Sequence, residues 1–439
     1  MAKFHQTTLS GSSADPTPTS YQINEIYLYD NNENQWDIRS IITSIEIYES
    51  LYTSSIEVTL SVADGISLLE QALITGNEKI SIKVQQTQVK DDSETRRKFE
   101  LDVYIAEVIN FSRAVPGLQT YQFVCFSEHM YINSVSRLNR SFENTLGSLV
   151  KIICERDLRI EPNYINESSK GIIKGIYPRL RPLSAINWLM RNAVEDNTPF
   201  YFYETAFNGV NFDSYKNIVQ QDVYREYNHK PEFSLKPLTP KSYEEIASRI
   251  RKFSSTLNLS KLASLSEGAY SATLHEIDIA TKSYTKRDLR YDKDIKYKLN
   301  EHKPFNDNVQ FKDLKFNDSI DSIHYYINQN SKAFSQKNYH SPASPTIMSR
   351  QSYLENIDLL SHSLTIAGDF ELTPGKVIAL LIPKSTDTES LKLDPRDRIL
   401  SGKHVVTSIE HRFSNSEYTM NIVVQKDSFE FDLQGDSNE

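Results

Sequence analysis

The strongest constraint in this chain is a strict alternation of apolar and polar residues near its N-terminal end. Ile56, Val58, Leu60 and Val62 occupy every second position, which places four apolar side chains on one face of a strand. Other segments with strand character are Tyr21–Tyr29, Ile41–Tyr48, Ile80–Val84, Leu101–Ile105 and Tyr121–Cys125. Such closely spaced short strands predict a first antiparallel β-barrel or sandwich over residues 21–136.

Helical spacing replaces the alternation between residues 137 and 228. Ser141 begins a predicted helix whose apolar face runs from Leu146 to Ile153. Pro182 begins a second predicted helix, because proline is tolerated in the first helical turn. Phe200–Tyr203 then has the aromatic composition of a short strand. These signals predict a small α+β domain.

A connector over residues 229–254 precedes a second β-rich region. Its prolines are Pro231, Pro237 and Pro240, which disfavour both helix and central strand. Strand signals resume in two parts, 255–285 and 346–433, which we assign to a second β-barrel domain. The two β-rich regions leave open a diverged structural duplication.

Residues 286–345 form a charged insertion within the second β-rich region. Lys286–Asp318 is dense in charge and is expected to be exposed, and Ser319–Ile327 is predicted to be a short helix. Ser341–Pro345 is expected to break the chain before a helix over Ile347–Leu360. The polar ends, 1–20 and 434–439, are expected to be flexible.

Composition excludes several classes of protein. Lys and Arg number 49 against 58 Asp and Glu, so the net charge is −9, which argues against a nucleic-acid binder. The two cysteines, Cys125 and Cys154, lie among apolar residues and are expected to be buried thiols. The longest apolar run is Val377–Ile382, far short of the roughly 20 residues of a membrane-spanning helix. We therefore expect no membrane segment.

Motifs for catalysis, cofactors and metals are missing from the sequence. The chain has 13 Gly, and no two of them have the spacing of a phosphate-binding loop. Gly171 and Gly175 are spaced as in a nucleophile elbow, but Ile173 stands where the elbow needs a serine. His275-Glu276 lacks the second histidine of a zinc-protease helix. Asp30–Asn34 begins like a calcium loop, but Gln35 replaces the required glycine, which favours a polar hairpin turn. We predict no enzyme activity, no cofactor and no metal site.

The segment Leu364–Leu380 carries a more specific pattern. A strand ends near Gly368 and is followed by the turn Leu372-Thr373-Pro374-Gly375. Proline at the first central position and glycine at the second predict a type II turn. Further strands are expected at Val377–Ile382, Val405–Ile409 and Tyr418–Val424.

This segment resembles the C-terminal barrel of baseplate hub proteins from contractile-tailed, T-even-like bacteriophages. That family is related to the hub domains of spike proteins in contractile injection systems. In the family, a turn Gly-x-(Phe or apolar)-x-Leu-x-Pro-Gly precedes a strand apolar-Val-x-x-(Ile or Val)-x-His. The matching residues are Gly368, Phe370, Leu372, Pro374, Gly375, Val405, Val406, Ile409 and His411. Glu49–Tyr52, before the strand Ile56–Val62, is similar to the family's first barrel, and the order of elements agrees over about 20–430.

The resemblance implies an α+β, predominantly antiparallel β fold. Two tube-like β-barrel domains would flank a small α+β domain, with helices at the periphery. It also implies a structural role in the virion tail baseplate, assembled in the host cytoplasm. A homotrimeric ring would join the hexameric tail tube, or its initiator proteins, to a trimeric central spike that can carry a lysozyme domain. Other baseplate proteins would bind around it, and DNA would only pass through.

The resemblance also selects candidate interface residues: Leu51, Tyr52, Gly368, Phe370, Leu372, Thr373, Pro374, Gly375 and His411. We expect the turn Leu372–Gly375 to touch a neighbouring ring or subunit. An ordinary hairpin turn with local contacts is the alternative. His411 is more often a satisfied structural histidine than a pH switch, and Leu51 and Tyr52 fit either a core or an interface.

Two other functions stay open at this point. The chain could be the hub of a bacterial contractile injection system, which a neighbouring gene for a lysozyme-bearing spike would distinguish from a phage hub. It could also be a tail-associated protein that binds or cleaves carbohydrate. The latter predicts sugar release from host polysaccharide and an acidic, aromatic cleft.

Overall fold

The structure is a computed structural model that describes thirteen ranges of the chain. They are 19–86, 98–168, 172–191, 195–229, 243–258, 261–279, 282–305, 310–311, 314–315, 322–328, 343–384, 396–414 and 417–431. Outside these ranges lie nearly all of the predicted flexible end at 1–20, half of the connector at 229–254, and the whole tail at 434–439.

Strands dominate the first part of the chain, in accordance with the period-two alternation of its apolar residues. Its elements are β1 (Tyr21–Tyr29), β2 (Gln35–Asp37), β3 (Ile42–Ser50), β4 (Glu57–Asp64), α1 (Leu68–Gln71), β5 (Lys79–Gln86), β6 (Lys98–Val115), β7 (Leu118–Phe126) and α2 (Glu128–Val135). Consecutive residues of β4 alternate between buried and solvent-facing positions, as the sequence predicts.

The middle of the chain mixes short strands and helices. Its elements are β8 (Ser141–Thr145), α3 (Leu146–Ile152), a π-helical turn (Ile153–Leu158), β9 (Tyr164–Ile165), β10 (Ile172–Ile176), α4 (Pro182–Met190), β11 (Phe200–Thr205), β12 (Gly209–Ser214), α5 (Tyr215–Val219), β13 (Glu226–Asn228) and α6 (Tyr243–Ala247). Side chains of α3, α4, β11 and β12 form a core of their own.

The remaining elements return to β structure. They are β14 (Lys252–Leu257), α7 (Lys261–Ser266), β15 (Ser271–Asp278), β16 (Ser283–Arg290), α8 (Tyr291–Asp294), β17 (Gln310–Phe311), β18 (Leu314–Lys315), β19 (Ser322–Asn328), α9 (Ala343–Ile357), β20 (Leu360–Ala367), β21 (Val377–Leu381), β22 (Gly402–Ser414) and β23 (Glu417–Lys426). The predicted fold class, predominantly antiparallel β with few helices, is confirmed.

One strand order occurs twice in the sheet. We name β1 and β3–β7 the first six-strand unit, whose order across the sheet is β3-β4-β7-β6-β5-β1. We name β13, β14 and β20–β23 the second six-strand unit, whose order is β14-β20-β23-β22-β21-β13. Numbered along the chain within each unit, both orders are 2-3-6-5-4-1. The pairings agree in direction except at the last step, where β1–β5 is antiparallel and β13–β21 is parallel.

The two units share one 13-stranded sheet and one hydrophobic core. β3 of the first unit pairs with β22 of the second, so the sheet runs through both. The largest buried cluster contains side chains from both units, among them Ile47, Phe123 and Ile409. The strand order supports the duplication that the sequence left open. The predicted domain boundaries stay predictions.

An insertion separates β14 from β20 in the second unit. It carries a three-stranded sheet, β16-β15-β19, with α9 packed against it. The corresponding connection in the first unit, between β3 and β4, spans only Leu51–Ile56. The buried side chains in the described part of the insertion pack against tyrosines of the middle region.

Two predictions of helices were wrong. Ser141 begins β8 and not a helix, because Ser141–Thr145 pairs with β10, and the helix starts at Leu146. Ser322–Asn328 is a strand parallel to β15 and not a helix. Ile323 and Ile327 are four residues apart, a spacing shared by helix and strand, so the backbone pairing with β15 decides between them.

The charged insertion is also less exposed than predicted, and its second helix begins earlier. Leu289, Tyr291 and Phe305 are buried although they lie within the charge-dense segment. Of the predicted chain break at Ser341–Pro345, residues 341–342 lie outside the described ranges, and the rest is the first turn of α9, where proline is tolerated. The helix then ends at Ile357, before Leu360, which already belongs to β20.

Three basic side chains lie buried together in the second six-strand unit. His362, His404 and Lys426 are fully buried, and the two imidazole rings are 4.9 Å apart between centroids. Lys426 Nζ donates to the carbonyl oxygens of Ile399 and Ser401, at 2.5 and 2.7 Å. Burial, with the nearby Lys426 charge, lowers the pKa of His362 to about 4, and burial lowers the pKa of Lys426 to about 7.

These shifts predict an acid-sensitive fold. The unfolded chain binds a proton at His362 near pH 6.5, whereas the folded protein resists it down to about pH 4. The free energy of unfolding should therefore fall as pH drops from 6.5 to 4, by at most roughly 3 kcal/mol from this group. Urea denaturation of wild type and His362→Gln across this range measures the effect. The variant should lose this part of the slope, whereas His275→Gln, at a half-exposed position, should keep it.

Candidate functional site

The pairing of β3 with β22 forms the junction between the two six-strand units. It is antiparallel and runs from Ser50 opposite Ser408 to Ser44 opposite Ser414. β21 pairs with the earlier part of the same edge of β22, from Gly402 to Val405. An irregularity between Val406 and Ser408 separates the two pairings, so a single edge of β22 serves both units.

A buried polar network holds this junction and includes the predicted residue His411. The Glu49 side chain is 1% exposed, and its Oε1 lies 3.2 Å from His411 Nε2. Its Oε2 accepts from the backbone N–H of Ala206, at 2.6 Å. His411 Nδ1 lies 2.8 Å from Tyr418 Oη. His411 is therefore a satisfied structural histidine that ties both units to the loop after β11.

Aromatic stacking beside this network explains why Gly368 and Phe370 match the family pattern. The rings of Phe413 and Tyr418 stack at 4.4 Å, and Phe370 lies 4.9 Å from Tyr418. A Cβ atom at Gly368 would overlap the ring of Tyr418. Only glycine lets the chain leave β20 at this point without displacing that ring.

The predicted turn is present and has the predicted geometry. Lys376 N donates to Thr373 O at 3.3 Å, which closes a four-residue turn around Pro374 and Gly375. Gly375 has φ +86°, as the third residue of a type II turn requires. Leu372 is fully buried and Thr373 is 5% exposed.

The turn contacts other parts of the same chain. A Cβ atom at Gly375 would lie 2.8 Å from Tyr203 Oη and 3.8 Å from Leu51 Cδ1. Gln221 Nε2 also donates to Gly375 O, at 3.2 Å. The turn therefore packs where both six-strand units meet the middle region. Contact with a second subunit stays a prediction.

Leu51 and Tyr52 have different environments although they are adjacent. Leu51 is 1% exposed and its N–H donates to Thr407 O at 2.8 Å, so it belongs to the junction. Tyr52 is 52% exposed, and its hydroxyl donates to Gln425 Oε1 at 2.8 Å. Tyr52 is thus the candidate residue that a partner could reach.

Sequence reasoning missed Glu49, Tyr203 and Asp427. Tyr215 Oη donates to Asp427 Oδ2 at 2.6 Å, and burial raises the pKa of Asp427. Tyr215 and Asp427 are 212 positions apart, so no local pattern connects them. Glu49 did carry a signal, since it follows Ile45 and Ile47 at every second position and a carboxylate on a buried face needs a partner.

Neither a membrane span nor a metal cluster occurs among the described residues. No helix in that part of the chain combines the length and the hydropathy that crossing a bilayer requires. No three His, Cys, Asp or Glu side chains there are grouped so as to hold a metal ion. The Asp30 carboxylate accepts from the N–H groups of Asn32 and Asn34 at 2.9 Å, which confirms the polar turn. Cys125 and Cys154 are buried free thiols, as predicted.

The contact between Gly375 and Tyr203 predicts a coupled pair of substitutions. Gly375→Ala should lower the free energy of unfolding by about 2–4 kcal/mol, from left-handed backbone strain and from crowding of Tyr203. Adding Tyr203→Phe should recover about 1 kcal/mol, because it removes the crowded oxygen. Gly209→Ala is the matched control, since Gly209 also has positive φ but has no atom within 4 Å of its Cβ position. Equal losses in the two alanine variants would contradict the packing role.

Comparison with known proteins rests on structure. No protein-family model and no curated protein match this chain. A 43 kDa tail protein of prophage MuSo2 from Shewanella oneidensis matches 93% of this chain and 100% of its own, with TM-score 0.53 and 10% identity. A tail protein from Neisseria meningitidis matches 93% of this chain and 97% of its own, with TM-score 0.52 and 7% identity. A prophage tail protein from Listeria monocytogenes, gp18, matches 92% of this chain and 94% of its own, with TM-score 0.48 and 8% identity.

The first two matches cover nearly the whole of both chains in each case. At such low identity they concern the fold alone. The fold that the sequence resemblance predicted is thereby confirmed, and this chain has the fold of phage tail proteins.

Proposed function

We propose that this chain is a structural, non-enzymatic hub of a phage tail baseplate. Three copies form a ring that adapts the hexameric tail tube to the trimeric central spike. The observation that carries this proposal is the twofold occurrence of one strand order, 2-3-6-5-4-1, within a single chain. A chain with two equivalent units presents six of them when three copies assemble.

The duplication gives the symmetry change a physical basis. A hexameric tube end offers six equivalent surfaces, and six similar units can meet each of them in the same way. A trimeric spike needs only three equivalent surfaces, which the three middle regions or the three insertions supply. Closed rings of identical chains form through heterologous contacts, in which two different surfaces of the chain meet.

The face of the shared sheet that points away from the core suits a channel through which DNA passes. Residues alternate along each strand, so the neighbours of the core residues face outward on the opposite side. Those outward residues are mostly uncharged and small or polar, for example Ser44, Ser61, Gln122, Ser408 and Asn421. On the same face Arg412 is ion-paired with Glu46 and Lys83 with Glu25. With a chain charge of −9, such a wall therefore attracts phosphate only weakly and lets DNA pass.

The remaining partners follow from this position in the particle. The ring binds the tail tube or its initiator proteins on one side, the central spike on the other, and further baseplate proteins around its rim. The exposed Tyr52 and the insertion sheet are surfaces of the chain available for those contacts. The protein assembles in the host cytoplasm and functions in the virion.

Absolute mass in solution tests the ring. Mass photometry on the full chain, alone and with the candidate spike protein, should detect a species near 152 kDa or its spike complex, since one chain has 50.5 kDa. A trimer that appears only with the spike would keep the proposal and make the ring dependent on the spike. A monomer under both conditions, across micromolar concentrations, would refute it.

A further inference from the structure

The two six-strand units are equivalent in topology but differ in how their strand edges are occupied. In the second unit, β22 has β23 on one side, and its other edge carries β21 and then β3. In the first unit, β6 is the counterpart of β22. It has β7 on one side, and β5 occupies its other edge only from Lys98 to Tyr104. Among the described residues, no strand continues along that edge after β5.

The backbone places the two edges in register. In β6, Ile105 N–H donates to Glu78 O, and Ile105 O accepts from Asn77 N–H. In β22, Val406 N–H donates to Lys376 O, and Val406 O accepts from Gly375 N–H in the same way. A pairing irregularity follows at once in both strands, between Ile105 and Glu107 and between Val406 and Ser408. Glu107 is therefore the counterpart of Ser408, the residue at which the pairing with β3 begins.

Burial shows what the missing strand would cover. In β22, Ile409 and Phe413 are at most 1% exposed. In β6, the apolar residues of the same stretch are in solvent, with Val108 39% and Phe111 49% exposed. The rings of Phe111 and Tyr121 stack with their centroids 6.3 Å apart, so Phe111 lies on the core side of the strand. Its exposed half is the part that an added strand would bury.

The strand that corresponds to β3 in the second unit is β14, and it also has a free edge. β3 pairs with β4 on one side and β22 on the other, whereas β14 pairs only with β20 among the described residues. Glu49, at the end of β3, is 1% exposed, whereas Leu257, at the corresponding end of β14, is 49% exposed. Within the described ranges, the chain thus presents one unpaired edge on β6 and one strand, β14, of the kind that pairs with the equivalent edge of β22.

We propose that β14 of one copy adds antiparallel to the free edge of β6 in the next copy. This contact rests on the ring proposed above and repeats, between chains, the junction that β3 and β22 make within one chain. An edge strand is a template for such pairing, because its unpaired N–H and C=O groups accept another strand. The two surfaces differ, so the contact runs head to tail and can close a ring.

The register of the junction within the chain fixes the register between copies. Glu49 faces Ile409 in the β3–β22 pairing. Leu257 corresponds to Glu49, because Phe253 faces Leu364 as Ile45 faces Leu60. Val108 corresponds to Ile409, one position after Glu107. The proposal therefore places Leu257 of one copy opposite Val108 of the next, which buries two exposed apolar side chains against each other.

Cysteine pairing in the full-length chain tests this register. Facing residues on antiparallel strands have Cα atoms about 4.5–5.5 Å apart, within the range of a disulfide. Chains with Leu257→Cys and chains with Val108→Cys, mixed under assembly conditions with mild oxidant, should give a disulfide-linked dimer. Neither variant alone should crosslink, because the contact is head to tail. The double variant should give a ladder that ends at the ring size.

Two controls make the result specific. Cys125 and Cys154 are fully buried, and burial raises the pKa of both thiols, so the native cysteines should stay unreactive. In the mismatched control, Leu257→Cys chains are mixed with Leu73→Cys chains in place of Val108→Cys chains. Leu73 is 66% exposed and lies outside the proposed contact. Crosslinking of Leu257→Cys with itself, or equally with Leu73→Cys, would overturn the proposal.

A charge substitution tests the β14–β6 contact separately from the proposed ring. Leu257→Glu should raise the concentration needed for half-assembly by about tenfold or more, because it places an unpaired carboxylate in the contact. Leu262→Glu, at a site 83% exposed on α7, should leave assembly unchanged. A ring that forms normally with Leu257→Glu and resists the crosslink would overturn this contact and leave the ring intact. A wild-type chain that never assembles would refute both.

Discussion

The antiparallel pairing of β3 with β22 is the interaction on which the rest of the structure depends. Seven residue pairs, from Ser50 opposite Ser408 to Ser44 opposite Ser414, join strands more than 350 positions apart. This pairing turns two strand sets into one sheet and lets their apolar faces share one core. Backbone hydrogen bonds carry the pairing, and the buried Glu49 carboxylate fixes it in place by accepting from Ala206 and contacting His411.

Around that pairing, side chains from distant segments fill space left by glycines. Gly368 leaves room for the ring of Tyr418, and Gly375 lets the turn approach Tyr203 and Leu51. These contacts bring the middle region against both six-strand units. The family-like pattern in Gly368–Gly375 therefore reflects close packing inside one chain, since the turn it encodes is buried.

The two six-strand units have the same strand order, but their corresponding strands do not have the same neighbours. Corresponding strands keep the same order and nearly the same pairing directions, but β22 has a neighbour where, in the part of the chain that the structure describes, β6 has none. A closed set of equivalent units would have no such inequality, because every edge would meet its counterpart. Under the proposed ring, the β3–β22 type of strand pairing is made once within each chain and once between neighbouring chains. The edge of β6 is then left for the neighbouring chain, whereas the edge of β22 is already paired.

Much of the strand structure could be predicted, since alternation such as that of Ile56 to Val62 is a local property. The type II turn at Pro374 and Gly375 followed equally from local backbone preferences. The misassigned helix at Ser319–Ile327 shows the limit of such reasoning, because residues spaced by four fit both periods and only the pairing with β15 settled them. The contact between Tyr215 and Asp427 had no local signal at all.

The sequence by itself determined most strands of the first β-rich region, the buried face of each, and that two β-rich regions flank a mixed one. Only the tertiary structure decided which strands are neighbours, that both regions share one strand order, and which edges stay open. The physical reason is that side-chain alternation specifies a buried face, whereas the hydrogen bonds that choose a neighbouring strand come from a backbone common to every residue.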